Sequence, residues 1–294
     1  MSIWEAVLFG LVQGLTEFLP VSSTAHIVLV SYATGLHFPG LSFEIFLHLA
    51  SLLAVATYFR RDLWFVIDGF VRFLVTRGGS DPVPFRFGCY IVIATVITGV
   101  LGLNLNHFAG GFIKHPWVVA SGFFGTACLL LWMDRIQGCG TREIGAIRTL
   151  DAVIIGIGQA ISVVPGVSRS GSTLIVALLL GLERETAVRF SFLLAMPVIL
   201  GSTVLMVPHF QEGMLEQVGW LPLGVSFLVS AVATWVGIVW LINFLRRSRL
   251  FWFSVYLFIL SGTLFFVHWH DPDRITFEEP LIVLEDPISF DHEH

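Results

Sequence analysis

Residues 13–26 read Gln-Gly-Leu-Thr-Glu-Phe-Leu-Pro-Val-Ser-Ser-Thr-Ala-His, a group of polar side chains in an otherwise apolar stretch. Gln13 and Glu17 stand four residues apart and share one helix face. Pro20 breaks that helix, Ser22, Ser23 and Thr24 occupy the break, and His26 opens the segment that returns. A carboxylate in apolar, membrane-like surroundings is costly and is a functional candidate by default; the competing reading is a capping network or a Glu that reaches solvent. A second break, Pro165-Gly-Val-Ser-Arg-Ser-Gly-Ser-Thr173, sets Arg169 among Ser168, Ser170, Ser172 and Thr173. A guanidinium is always charged and matches phosphate oxygens in pairs. With hydroxyls and the backbone N–H groups of a helix start beside it, it makes an anion cradle. Its competing reading is an ion pair with Glu17 that serves the fold, and both readings hold if the pair opens when an anion binds.

Together these residues suit hydrolysis of a phosphoric anhydride. Arg169 neutralises oxygens as charge moves to the leaving phosphate. A carboxylate positions a Mg²⁺-like ion, which takes few protein ligands besides phosphate oxygens. A hydroxyl or water attacks phosphorus while His26 or Glu17 moves the proton. Glu44 either faces the same cavity or lies at the interface, and His48, one turn further on, is left outside the candidate set. The other histidines show no metal spacing. Cys89, Cys128 and Cys139 form no metal or redox pattern and read as small apolar fillers.

The elements that must position these groups belong to a membrane. The 294 residues are 55% hydrophobic and 13% charged, against about 25% charged in soluble domains. The net charge of -5 excludes a basic nucleic-acid binder. Six stretches approach the roughly 20 apolar residues that a spanning helix needs: Leu41 to Phe59, Phe87 to Leu103, Trp117 to Met133, Ala187 to Val207, Pro222 to Leu245 and Leu250 to Val267. Regions 3–32 and 150–181 are apolar too, but each is split by its polar break into halves too short to cross. They predict re-entrant helical hairpins, whose irregular backbone is tolerated only inside protein or beside a wet cavity. Residues 62–76 predict a helix along the inner surface, and the acidic tail 268–294 an external appendage.

Thirteen of the sixteen Lys and Arg fall in loops that one topology places in the cytoplasm. The positive-inside rule then puts both termini outside, with hairpin 3–32 entering from outside and 150–181 from the cytoplasm. The hairpins also resemble each other. Gly10-Leu-Val-Gln13 aligns with Gly156-Ile-Gly-Gln159, and Val21-Ser22 with Val167-Ser168, at an offset of 146 residues. Each half, about 3–134 and 150–267, is then one hairpin plus three spans. The expected fold is one all-α membrane domain, 1–267, built as an inverted repeat. Such repeats are common in transporters, whose sites lie where the broken helices meet. A polyprenyl-phosphate transporter or flippase is therefore the alternative function.

The segments 13–26 and 165–173 resemble the two signatures of the undecaprenyl-diphosphatase family, also called the bacitracin-resistance protein family. The second matches the family's PGxSRSxxT pattern, and Phe190-Ser-Phe-Leu-Leu-Ala-Met-Pro197 resembles the segment that follows it. The resemblance covers about residues 3–267. It implies an integral enzyme of the bacterial plasma membrane that hydrolyses undecaprenyl diphosphate to undecaprenyl phosphate and inorganic phosphate, recycling the lipid carrier of cell-wall synthesis and conferring bacitracin resistance. It also implies an outward-facing site and a divalent cation, Mg²⁺ or Ca²⁺. Carried over by position, Glu17, Ser23, His26 and Arg169 are the catalytic candidates. Gln13, Ser22, Thr24, Ser168, Ser170 and Thr173 are candidates for contact with phosphate, and Glu17 and Gln13 for the metal. Many members have Glu where Gln13 stands, which leaves one anionic ligand fewer, and Gly is common where Ala25 stands. The expected partners are the polyprenyl diphosphate lipid and the surrounding membrane lipids, with no nucleic acid and with room for a homodimer.

Overall fold

The computed structural model describes residues 1–36, 42–79, 81–113, 115–135, 140–206, 218–247 and 250–271. Over these residues the chain is helical, as the sequence predicts. The helices are α1 (Ile3–Thr16), α2 (Ser23–Thr34), α3 (Ser42–Tyr58), α4 (Arg60–Val75), α5 (Pro82–Ile113), α6 (Pro116–Arg135), α7 (Thr149–Ala160), α8 (Arg169–Leu179), α9 (Arg184–Met206), α10 (Trp220–Arg247) and α11 (Phe251–His270). Short 3-10 turns occur at Ile144–Ala146 and Ile161–Val163. Cys139, Lys114 and the acidic tail from 272 onward lie outside the described residues.

Among the described residues, five helices are long and apolar enough to cross a bilayer: α5, α6, α9, α10 and α11. The first expected span is α3, whose 17 residues reach roughly 25 Å at 1.5 Å per residue, short of the ~30 Å hydrocarbon core. It continues into α4 across a 74° bend at Phe59, so a sixth span exists only if the bent pair is counted as one. The region 62–76 is helical as expected. Along α4, Trp64, Ile67, Val71 and Leu74 are exposed apolar residues, with Arg60, Arg61 and Arg72 exposed beside them.

Both broken regions fold back on themselves. After α1 the chain turns through residues 17–21, and Ser22 takes a left-handed φ of 68° that reverses it into α2. Leu36, just past α2, packs on the same apolar cluster as Met1 and the buried Phe9 and Val218, so α2 returns to the end where α1 begins. In the second region Arg142 closes the hairpin. Its guanidinium donates to Leu180 O at 2.7 Å and to Ala146 O at 2.7 Å, and it pairs with the buried Asp151 at the start of α7. Its backbone N–H donates to Gly181 O at 3.1 Å. The start of α7 and the end of α8 are thereby held together.

The first helix of each broken region packs on a long helix distant in sequence: α1 on α10, and α7 on α5. Both contacts need glycine. A Cβ on Gly14 would lie 2.4 Å from Ser230 O, and one on Gly156 2.8 Å from Ala94 O. Small residues of this kind let membrane helices approach closely where no hydrophobic force drives them together. Buried hydroxyls supply the polar contacts between helices. Thr234 Oγ1 donates to Ser51 Oγ at 2.9 Å between α10 and α3, and Ser254 and Ser261 of α11 donate to Ala127 O and Ala120 O of α6 at 2.7 and 2.8 Å. The first break is seated against α9 by Phe18, whose ring centroid lies 4.9 Å from that of Phe192.

Candidate active site

The two breaks meet face to face. Ser168 caps α8, its Oγ accepting from Gly171 N–H at 3.1 Å. Ser170 Oγ donates to Leu19 O at 2.9 Å, and Ser168 Oγ reaches the same carbonyl at 3.4 Å. These bonds place the N-terminus of α8, and Arg169 with it, opposite Glu17. The Arg169 guanidinium pairs with Glu17 Oε1 and also donates to Ala195 O at 3.4 Å. The other carboxylate oxygen, Oε2, accepts from Gln13 Nε2 at 2.9 Å and Ser23 Oγ at 2.6 Å, and lies 3.2 Å from His48 Nε2. Glu17 is 4% exposed, so this is a desolvated ion pair with both oxygens occupied.

A cavity of about 400 Å³ opens on this pair. Its polar end is walled by Glu17, Ser22, Ser23, Thr24, His48, Ser168 and Arg169. Six of the ten candidate residues read from the sequence are therefore gathered on one surface. The other four are placed differently. Gln13 sits behind Glu17, completely buried, and its Oε1 has no hydrogen-bond partner among the described residues. Ser170 is spent on Leu19 O, and Thr173 Oγ1 donates back to Arg169 O at 3.1 Å, so both brace the break. His26 is not among the cavity walls. Its Nδ1–H donates to Ser22 O at 2.7 Å, which leaves Nε2 to accept the Tyr256 hydroxyl at 2.6 Å. Its ring lies between Phe123 and Tyr256.

Two participants lay outside the candidate set. Tyr256, in an apolar span, gave no sign of its contact with His26. His48 did give one, being a titratable side chain in an apolar run and thus the same signal that marked Glu17. Its Nδ1 meets Glu44 O one turn back at 2.7 Å, which aims Nε2 at the Glu17 carboxylate. Among the described residues, no three His, Cys, Asp or Glu side chains gather into a metal site. The hard oxygen donors are the Glu17 carboxylate and the unpartnered Gln13 Oε1. That pair fits a divalent cation of the Mg²⁺ or Ca²⁺ kind only if substrate phosphate oxygens complete the shell.

An anhydride-bearing anion would meet, in one desolvated pocket, a guanidinium, a carboxylate and a serine hydroxyl already bonded to that carboxylate. Residues 6–263 match the family described as bacitracin resistance protein BacA. The chain is 48% identical over 272 residues to undecaprenyl-diphosphatase 2 of Halalkalibacterium halodurans, which covers 92% of this chain and 98% of that protein. It is 45% identical to undecaprenyl-diphosphatase 1 of Shouchella clausii, over 90% of this chain and 96% of the relative. It is 37% identical to the undecaprenyl-diphosphatase of Oceanobacillus iheyensis, over 88% and 96%. With nearly the whole helical domain matched, both breaks included, the chain belongs to the bacitracin resistance protein BacA family.

Proposed function

We propose that this protein hydrolyses undecaprenyl diphosphate to undecaprenyl phosphate and inorganic phosphate, regenerating the lipid carrier of cell-wall synthesis and thereby conferring resistance to bacitracin. The observation that carries this reading is the buried contact between the breaks, where Glu17 holds Arg169 on one oxygen and Ser23 Oγ on the other. An arriving diphosphate draws Arg169 from the carboxylate onto its own oxygens, where the fork of N–H donors binds in pairs. Ser168 and the N-terminus of α8 add donors for the same charge.

Ser23 is the nucleophile and Glu17 its base, a hydroxyl and an acceptor already at 2.6 Å. Ser23 Oγ forms a bond to the terminal phosphorus, its proton passes to Glu17, and the bridging P–O bond breaks to release undecaprenyl phosphate. The departing undecaprenyl phosphate takes that proton from Glu17, which, a carboxylate again, then deprotonates water; the water oxygen bonds to phosphorus as the Ser23 Oγ–P bond breaks, the proton returns to Ser23 Oγ, and inorganic phosphate is released. Gln13 and His48 hold the Glu17 carboxylate in place, and the His26–Tyr256 pair fixes the start of α2 behind Ser23. Glu17 and Gln13 Oε1 would hold a divalent cation, which supplies further positive charge to the diphosphate.

We infer that the site faces the outer side from near the middle of the membrane, with both termini outside and α4 along the inner surface. The cation-bearing ends support one orientation: Arg189 lies 3.6 Å from Asp62, and Arg184 donates to Leu245 O at 2.5 Å. The starts of α4 and α9 and the end of α10 thus share one end of the bundle. On α5 and α9 the cavity walls begin at Thr95 and Pro197, just past the midpoints of Pro82–Leu105 and Arg184–Val204 from that end. The reciprocal packing of α1 on α10 and α7 on α5 supports an inverted repeat.

The test is phosphate release by purified protein in detergent from C55 and C15 diphosphates, across a panel of divalent cations. Release is expected. None with any cation overturns the hydrolase reading and leaves the flippase reading, which rests on the repeat alone. Light scattering of the same preparation tests the homodimer.

A further inference from the structure

We propose that the first isoprene units of the substrate lie in a slot between α5 and α9 at Gly99 and Gly201, and that the two absent side chains set its width. This rests on the lipid-diphosphatase reading and names where the tail goes. The cavity that begins at Glu17 and Arg169 does not end there. It continues along α5 past Thr95, Thr98, Gly99 and Gly102, with Pro197, Val198 and Gly201 of α9 facing them.

The chemistry of the wall changes along the way. Each hydroxyl at this end is already committed to a main-chain carbonyl: Thr95 to Ile91 O at 2.7 Å, Thr98 to Gly156 O at 3.0 Å, Ser162 to Gln159 O at 2.6 Å and Ser202 to Ile199 O at 2.9 Å. None offers a donor to a headgroup, so methyls, methylenes and glycine Cα atoms form the surface. The slot therefore suits hydrocarbon, while the phosphates stay at the polar end.

Gly99 and Gly201 sit inside helices, where glycine is disfavoured by about 1 kcal/mol against alanine. Packing does not require them, because a Cβ at either meets nothing within 4 Å, unlike Gly14 and Gly156. Gly125, Gly224 and Gly262 are equally open but do not wall the cavity. The lips are lipid-facing: Val96 and Val100 on α5, and Leu200 and Val204 on α9, are 51–61% exposed. A tail can pass from bilayer to site between them without the charged end leaving the pocket.

The bilayer is as apolar as the slot, so moving a tail between them releases little free energy. The slot admits and aligns the tail rather than gripping it. Bulk should therefore matter and small changes should not. Gly99→Leu and Gly201→Leu should raise KM for a C15 diphosphate about tenfold or more, a loss of about 1.4 kcal/mol. Gly99→Ala and Gly201→Ala should stay within about twofold, as should the off-slot control Gly262→Leu.

The experiment measures kcat and KM for the C15 diphosphate, the Ki of inorganic diphosphate, and the Kd of a C15 diphosphate with a fluorophore at its far end. Folding is checked by thermal unfolding in detergent. If a leucine variant does not fold, Gly201→Cys, in a background with Cys89, Cys128 and Cys139 replaced by alanine, is purified and alkylated with N-methylmaleimide or N-cyclohexylmaleimide, the larger label standing in for leucine. A rise in KM and Kd with Ki unchanged supports the slot. Unchanged KM and Kd overturn it and leave the groove to bulk lipid. A parallel rise in Ki also overturns it, since the bulk then acts on the phosphate end. If wild-type protein binds the probe but releases no phosphate, the hydrolase reading falls while the Kd comparison still decides the slot.

Discussion

Replacing Arg169 by alanine tests whether one contact serves both fold and chemistry. The Glu17 side chain is 1% exposed and that of Arg169 18%. Removing one partner of a buried pair costs about 3–5 kcal/mol, because the other charge is left buried. Glu17 keeps Gln13, Ser23 and His48 on its Oε2, so the low end, ~3 kcal/mol, applies. At ~2–4 °C per kcal/mol, Arg169→Ala should melt roughly 6–12 °C below wild type in detergent. Adding Glu17→Gln removes the stranded charge and should restore most of that loss. Turnover should already be lost in Arg169→Ala, since a guanidinium on a transferred phosphoryl group contributes about 10³-fold or more, and it should not return in the double variant, which lacks the Glu17 base as well. The paired measurements are unfolding midpoints and phosphate release for wild type, both single variants and the double variant. A wild-type melting point for Arg169→Ala would refute the buried-pair argument, and near-wild-type turnover in Arg169→Ala would refute the clamp.

Ser23→Ala should lower kcat by about 10²-fold or more and abolish any phosphoenzyme trapped by acid quench of a labelled substrate; a trapped phosphoenzyme in this variant would move the nucleophile elsewhere. His48→Ala should reduce kcat about tenfold with little change in KM, while His48→Gln, which still donates to Glu17, should recover most of the loss; equal loss in both would show that His48 does more than hold the carboxylate. Gly14→Val forces side-chain atoms into Ser230 O, already 2.4 Å from a Cβ, and should destabilise by about 1–3 kcal/mol, read as a lower unfolding midpoint; an unchanged midpoint would mean that α1 and α10 can part freely.

What the sequence disclosed follows from where polarity is expensive. Glu17 and Arg169 stood out because nothing in an apolar run explains a charge, and the structure joins those two residues. The breaks were legible because Pro20 and Pro165 interrupt apolar runs whose halves are too short to cross. His48 carried the same signal as Glu17, but its meaning depended on which face of α3 turned toward the break, and that is set by packing against α9 and α10. His26 was read as a proton carrier from its place beside three hydroxyls. Its orientation is decided by Ser22 O and by Tyr256, 230 residues away, and no local pattern encodes that contact. The change of direction at Phe59 was legible in outline, since the charges interspersed over 62–76 separate that helix from the span before it, but the 74° angle was not, because α4 begins with no side-chain cap.

The Glu17–Arg169 pair gives the site a tethered competitor. A carboxylate fixed within bonding distance of the guanidinium acts as a ligand at very high effective concentration, and every incoming anion must displace it. An anion with several phosphate oxygens to spread over Arg169, Ser168 and the α8 N-terminus can do so; the smaller inorganic product, once cleaved, holds fewer of those contacts and is pushed out as the carboxylate returns. In the proposed reaction this exchange would limit product inhibition, and Glu17→Gln should tighten the binding of inorganic phosphate even as it stops turnover, a shift that isothermal titration would read directly.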